Sequence, residues 1–206
     1  MHSSPSARER RLANAWRTGL TYSVLSDWIG IRRHTKKEKG RDSMINKVIE
    51  KMIRHDQGDP RRIQHFLKVH SFAKYIGECE GLDKHTQLIL ETAALVHDIG
   101  IRPAEEKYGR CDGMLQEQEG PKPAEDLLME AGCPGEIIER VCYLVGHHHT
   151  YQNVDGMDYQ ILLEADFLVN LYEDSVSREG IKNALQRIFV TKTGKEICET
   201  MFLKER

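Results

Sequence analysis

From Met44 onward the apolar residues recur at intervals of three and four, and no stretch alternates apolar with polar as a half-buried strand would. The body of the chain is therefore expected to be all α. Asp59-Pro60 sets a capping carboxylate before a proline at the first helical position, and the helix it opens should run to about Cys79, ahead of Gly81. A second should run from Asp83 to Asp98 and stop at Gly100. Others are predicted over residues 123–131, 134–146, 159–173 and 177–189, with a short last helix over 195–202. The polar stretch from Ile101 to Gly120 reads as a connection holding at most a short helix at 104–108, and its length for a loop points to a functional role.

Four ionisable side chains interrupt the apolar stripes. His65 stands in line with Val69, Phe72 and Ile76, at steps of four, three and four, so it faces the core. Alone, such a histidine is more often a hydrogen-bonded core residue than a ligand. His97 continues the stripe of Leu90 and Ala93, and Asp98 follows Ala94. A carboxylate at a helix C-terminus is opposed by the macrodipole and calls for a compensating positive charge. Asp166 has Leu162, Leu163 and Val169 one turn away and no Lys or Arg near in sequence, so its ionised form would cost several kcal/mol or more unless paired.

A divalent cation bound by His65, His97, Asp98 and Asp166 would satisfy all four groups. Imidazole with carboxylate suits Mn²⁺, Fe²⁺, Co²⁺, Ni²⁺ or Mg²⁺ without distinguishing them. Four ligands leave two positions of an octahedron for water and a substrate oxygen, as hydrolysis of a phosphoryl group requires.

Composition adds little to the chemistry but marks the ends of the fold. Of 206 residues, 39% are hydrophobic and 30% charged, ordinary for one globular domain. The net charge of -2 gives no global reason to expect nucleic acid or a membrane surface as partner. Residues 1–43 hold ten Lys or Arg against four Asp or Glu, a local +6 that leaves the rest at -8. With no sustained helical period, they read as a basic extension, and residues 44–206 as the domain. The least polar part of that extension, Leu20 to Ile31, is too short to span a bilayer. Cys79, Cys111, Cys133, Cys142 and Cys198 form no C-x-x-C pair, which argues against a disulfide framework or thiolate zinc site and for a reducing cytoplasm. Cys142, in an apolar run, reads as a core filler.

The order His65, His97-Asp98, Asp166, with Ile99-Gly100 completing His-Asp-Ile-Gly, resembles the HD-domain metal-dependent phosphohydrolase superfamily over roughly residues 44–189. The resemblance implies an all-α helical bundle with a divalent ion at its centre and hydrolysis of phosphate mono- or diesters, nucleotides among them. His147 and His148, in Gly146-His147-His148-His149, resemble the paired histidines that two-metal members use for a second ion, and Glu119 lies near where those members carry another ligand. Members with this signature often place a lysine soon after it to meet the phosphate. Here Ile101 occupies that place and Arg102 follows, so Arg102 is the candidate anion clamp; in such a hydrolysis Asp98 or a neighbouring group would take the proton. Nucleotidase-like members carry a glutamate where this chain has Ile101, which keeps a non-catalytic nucleotide or metal sensor in view. A di-iron oxygenase of the same family is a more distant alternative.

Overall fold

The structure, a computed structural model, describes residues 36–204. The expectation of a basic extension over residues 1–43 falls largely outside that range. Contacts divide the chain between Arg41 and Asp42, and every described helix except the start of α1 lies on the C-terminal side of that division. Among the described residues every regular element is helical, and none is long and apolar enough to cross a membrane.

Helix α1 (Lys36–His55) begins ahead of Met44 and buries Ile45, Val48 and Met52, one stripe at helical spacing. Helix α2 (Pro60–Cys79) opens as expected: the Asp59 side chain accepts from the backbone N–H of Arg62 at 3.0 Å, and Pro60 has no N–H to leave unsatisfied. Its inner face is His65, Phe66, Val69, Ala73 and Ile76, with Phe72 half-buried at its edge. Asp83 caps α3 (Lys84–Val96), which is buried from Ile89 to Val96 without a break and so lies inside the bundle. The short link between α2 and α3 makes them antiparallel neighbours. The first turns of α2 thereby come to lie beside the last turn of α3.

The α-helix stops at Val96, before His97 and Asp98. His97 keeps right-handed helical angles, φ -55° and ψ -39°, and Ile99 N–H bonds to the Val96 carbonyl and Ile101 N–H to that of Asp98, each at 3.0 Å. These three-residue spacings tighten the chain into a 3₁₀-like turn. Gly100 in that turn is sterically required: a Cβ there would lie 2.5 Å from the Gln116 carbonyl oxygen and 2.8 Å from the Gly120 nitrogen.

The stretch expected to be mainly loop is instead two helices, α4 (Ile101–Tyr108) and α5 (Gly113–Glu119). Gly109, with φ at 67°, ends the first, and the Asp112 side chain caps the second by accepting from Leu115 N–H at 3.1 Å. Each buries a single residue, Ala104 in α4 and Leu115 in α5, which is why they show no apolar period. Helices α6 (Pro121–Ala131), α7 (Gly135–Val145), α8 (Met157–Glu173), α9 (Arg178–Arg187) and α10 (Lys192–Cys198) come next, with a π-helical turn over Glu199–Leu203. Helix α8 packs against both α2 and α3, and α3 also packs against α7. Cys142 is half-buried rather than a core filler, its thiol donating to the Pro121 carbonyl at 3.4 Å.

Candidate metal centre

Because α2, α3 and α8 pack against one another, a polar side chain on the inner face of each meets the others. His65 Nε2 lies 3.3 Å from His97 Nε2, 3.1 Å from Asp166 Oδ1 and 3.4 Å from Asp98 Oδ2. His97 Nε2 lies 3.4 Å from Asp166 Oδ1 and 3.5 Å from Asp98 Oδ2. His65, His97 and Asp166 are buried, and Asp98 is partly open to solvent.

The hydrogen bonds behind these rings determine what faces inward. His97 Nδ1 meets the Ala94 carbonyl at 3.1 Å, and a carbonyl only accepts, so Nδ1 carries the hydrogen. His65 Nδ1 meets the Glu173 carboxylate at 3.2 Å. Burial works to raise the Glu173 carboxyl, but Lys68 and His65 outweigh it and hold it below the usual glutamate range, so it too accepts. In a neutral ring each inward Nε2 is then a lone pair. The centre gathers nitrogen and carboxylate lone pairs that repel one another unless a cation lies among them.

Spacing and charge both fit such a cation. Donors about 2.1 Å from a shared ion stand about 3.0 Å apart at right angles and about 3.4 Å apart in a tetrahedron, close to the separations found. In the bare protein protons take over that role. Burial opposes a charge on His97, yet Asp98 and Asp166 push it up to about 9. Burial also works to raise both carboxyls, and the imidazoles hold them well below the usual range. Glu164, two residues before Asp166, makes the contrast plain. It is fully buried, but the N–H groups of Val190 and Thr191, the Thr191 hydroxyl and the Gln160 amide all donate to it. That carboxylate is a structural tie, whereas Asp166 faces only groups that are themselves good ligands.

A second group shares Asp98. His148, buried, directs Nε2 at Asp98 Oδ1 from 3.5 Å, finds no hydrogen-bond partner for it, and donates from Nδ1 to the Val145 carbonyl at 2.8 Å. Ligand atoms of Asp98, His148 and His149 lie within 4.8 Å of one another, as do those of His65, His97 and Asp98, so either group could hold a metal ion. Burial, then the neighbouring His148, pushes His149 down to about 4, which leaves it neutral at neutral pH. Its Nε2 bonds to Gln116 Oε1 at 3.0 Å, and a Cβ on Gly113 would lie 2.8 Å from its ring.

The structure does not bring every candidate here. His147 turns away, its Nδ1 on the Tyr143 carbonyl at 2.7 Å and its ring stacked on Tyr143, and His149 stands beside His148 in its place. Glu119 accepts from Lys107, Tyr108 and Gln118, each at 2.9 Å, while Gln116 one turn earlier faces the site. Arg102 donates to the His55 carbonyl and does not line the cavity that opens on the cluster. Arg61 and Arg62 do, in a space of about 590 Å³ that also takes in Gln116, His149, Tyr151 and Phe167. Of the residues that sequence reasoning misses, Glu173 is within reach of the pattern, two helical turns beyond Asp166 and so on the same face.

Comparison with known proteins agrees with this geometry. A family model described as HD domain matches residues 62–181. No curated protein sequence matches the chain. Among solved structures, a predicted HD superfamily hydrolase from an uncultured Thermotogales bacterium is similar, with 25% identity and a TM-score of 0.51, over 85% of this chain and 89% of that one. The chain belongs to the HD-domain family, within a superfamily of metal-dependent hydrolases.

Proposed function

We propose that the protein hydrolyses phosphate esters with a divalent ion held by His65, His97, Asp98 and Asp166, and that a second ion fits beside it at Asp98, His148 and His149. The observation that carries this reading is the convergence of lone pairs at 3.1 to 3.5 Å on the floor of an open cavity. A purely structural ion would need no such opening. When bound, a divalent ion supplies Lewis acidity toward a phosphoryl oxygen and toward water.

The chain's own residues supply the rest. Arg61 and Arg62, on the first turn of α2, stand at the cavity wall where phosphate oxygens would lie and take the role expected of Arg102. Asp98 turns one oxygen to His65 and His97 and the other to His148, which suits it to hold both ions at once. Glu173 keeps the His65 hydrogen on Nδ1, so that Nε2 remains a ligand.

Release of phosphate from a panel of mono- and diesters with Mn²⁺ tests the reading. Wild type is expected to turn over at least one of them, and Asp166→Ala to lose both bound metal and turnover. Tight nucleotide binding without phosphate release would point to a sensor instead, and full activity in Asp166→Ala would end the proposal.

A further inference from the structure

The walls of the cavity differ in character, and that difference bears on which phosphate ester it takes. The cations of the lining are Arg61 and Arg62. Arg62 is already engaged, its Nη2 on Glu105 at 2.7 Å and its Nε 3.3 Å from Asp59, while Arg61 Nη2 faces Asp174 at 3.6 Å. Lys68 is taken by Glu173. The N-terminus of α2, a natural anion seat, has its Arg62 N–H capped by Asp59. Among the described residues that line the cavity away from the metal ligands, the positive charges are thus matched by carboxylates. With a bound ion, Arg61 and Arg62 would suffice for one phosphoryl group, whereas a chain of phosphates would add negative charge to a lining that already holds Asp59, Glu173 and Asp174.

The lining also has an aromatic and apolar part. Phe167 lines the same cavity as His65, Asp98 and Asp166, and Tyr151 packs edge to face against it with centroids 5.3 Å apart. Tyr151 is 47% exposed, in the open part of the cavity. Leu171 and Val176 continue the wall, and Asn170, one turn beyond Asp166, offers an uncharged amide. A volume near 590 Å³ admits a phosphate with a ring-sized group attached.

We infer that the site takes a phosphate monoester of an uncharged alcohol bearing a planar ring, seated against Tyr151 and Phe167, and rejects polyphosphates. The inference rests on the proposed hydrolase activity. In the reaction, water adds to phosphorus and the bond from phosphorus to the alkoxy oxygen breaks. One proton of the water passes to the alcohol, which leaves with inorganic phosphate as the other product.

The test compares kcat/KM for benzyl phosphate, ethyl phosphate, a nucleoside triphosphate and inorganic pyrophosphate with the metal-loaded full chain. Benzyl and ethyl alcohols are similar leaving groups, so a preference between them reports on the wall and not on intrinsic reactivity. Benzyl phosphate is expected to exceed ethyl phosphate by about tenfold, the scale of one good aromatic contact, and Tyr151→Ala or Phe167→Leu to bring the ratio toward one. Asp174→Asn, which removes a negative charge at the rim, should raise the triphosphate rate relative to benzyl phosphate several-fold. A triphosphate or pyrophosphate preferred by wild type, or a benzyl-to-ethyl ratio untouched by both wall variants, overturns the inference while leaving the hydrolase intact. Hydrolysis of none of the four would count against the hydrolase reading itself and remove the inference with it.

Discussion

Asp166 and Glu164 lie two positions apart on one helix, both buried and both carboxylates, yet their neighbours give them different work. Donors from four groups surround Glu164, while Asp166 faces the inward Nε2 atoms of two imidazoles whose Nδ1 atoms are already bonded behind them. At this scale the sequence is informative where a polar residue breaks an apolar stripe within a helix, since the period then fixes its direction. His65 and Asp166 are legible for that reason. His147, His148 and His149 come after the end of α7, where no period applies, and only the folded turn shows that the second and third enter the site. Arg102 and Glu119 fail similarly, because nearby groups, the His55 carbonyl for one and Lys107 and Tyr108 for the other, draw them away. Glu173 gives the prediction at this scale. Glu173→Gln offers His65 Nδ1 an uncharged amide that can present either oxygen or N–H, so metal affinity measured by calorimetry is expected to fall about 10- to 100-fold with the fold retained. Unchanged affinity would show that Glu173 does not orient the ligand.

At the scale of elements, capping chemistry is readable and helix ends are nearly so. Asp59-Pro60, Asp83 and Ser177 each start the helix expected of them. The α4–α5 region reads as loop because its helices are short and bury one residue each, so burial imposes no period on them. The link from α7 to α8 carries His148, His149 and Tyr151, and it is held by contacts that no local pattern reveals. The Tyr159 hydroxyl, with one hydrogen to give, lies within bonding reach of the carbonyls of both His147 and Thr150, Glu117 accepts from His149 N–H at 2.9 Å, and Arg140 forks onto Asp158 at 2.8 and 2.9 Å and onto Asp155. Asp158 is buried, so Asp158→Ala leaves Arg140 with only the exposed Asp155. We expect a loss of about 2 kcal/mol, less than a fully buried pair would cost, seen as a Tm lower by about 4 to 8 °C. A shift below about 1 °C would mean that the fork does not secure the link.

For the whole molecule, the packing of α2, α3 and α8 forms the core and the polar cluster at once, so folding alone brings His65, His97, Asp98 and Asp166 together. The all-α class is legible from periodicity, but the mutual packing of these three helices is not, because periodicity gives faces and not partners. Joining folding to assembly of the centre has a thermodynamic consequence. An ion that binds only the folded chain stabilises it by about 2.7 kcal/mol at a hundred times its dissociation constant, and Tm should rise by about 5 to 11 °C. Differential scanning calorimetry with Mn²⁺ or chelator should show that rise in wild type and little of it in Asp166→Ala. Equal shifts in both would place the bound ion elsewhere.

The most direct test of the centre is anomalous diffraction from crystals grown with Mn²⁺. The account predicts a peak within about 2.5 Å of His65 Nε2, His97 Nε2 and carboxylate oxygens of Asp98 and Asp166. A fully occupied manganese elsewhere on the chain, with none among these four residues, would contradict it.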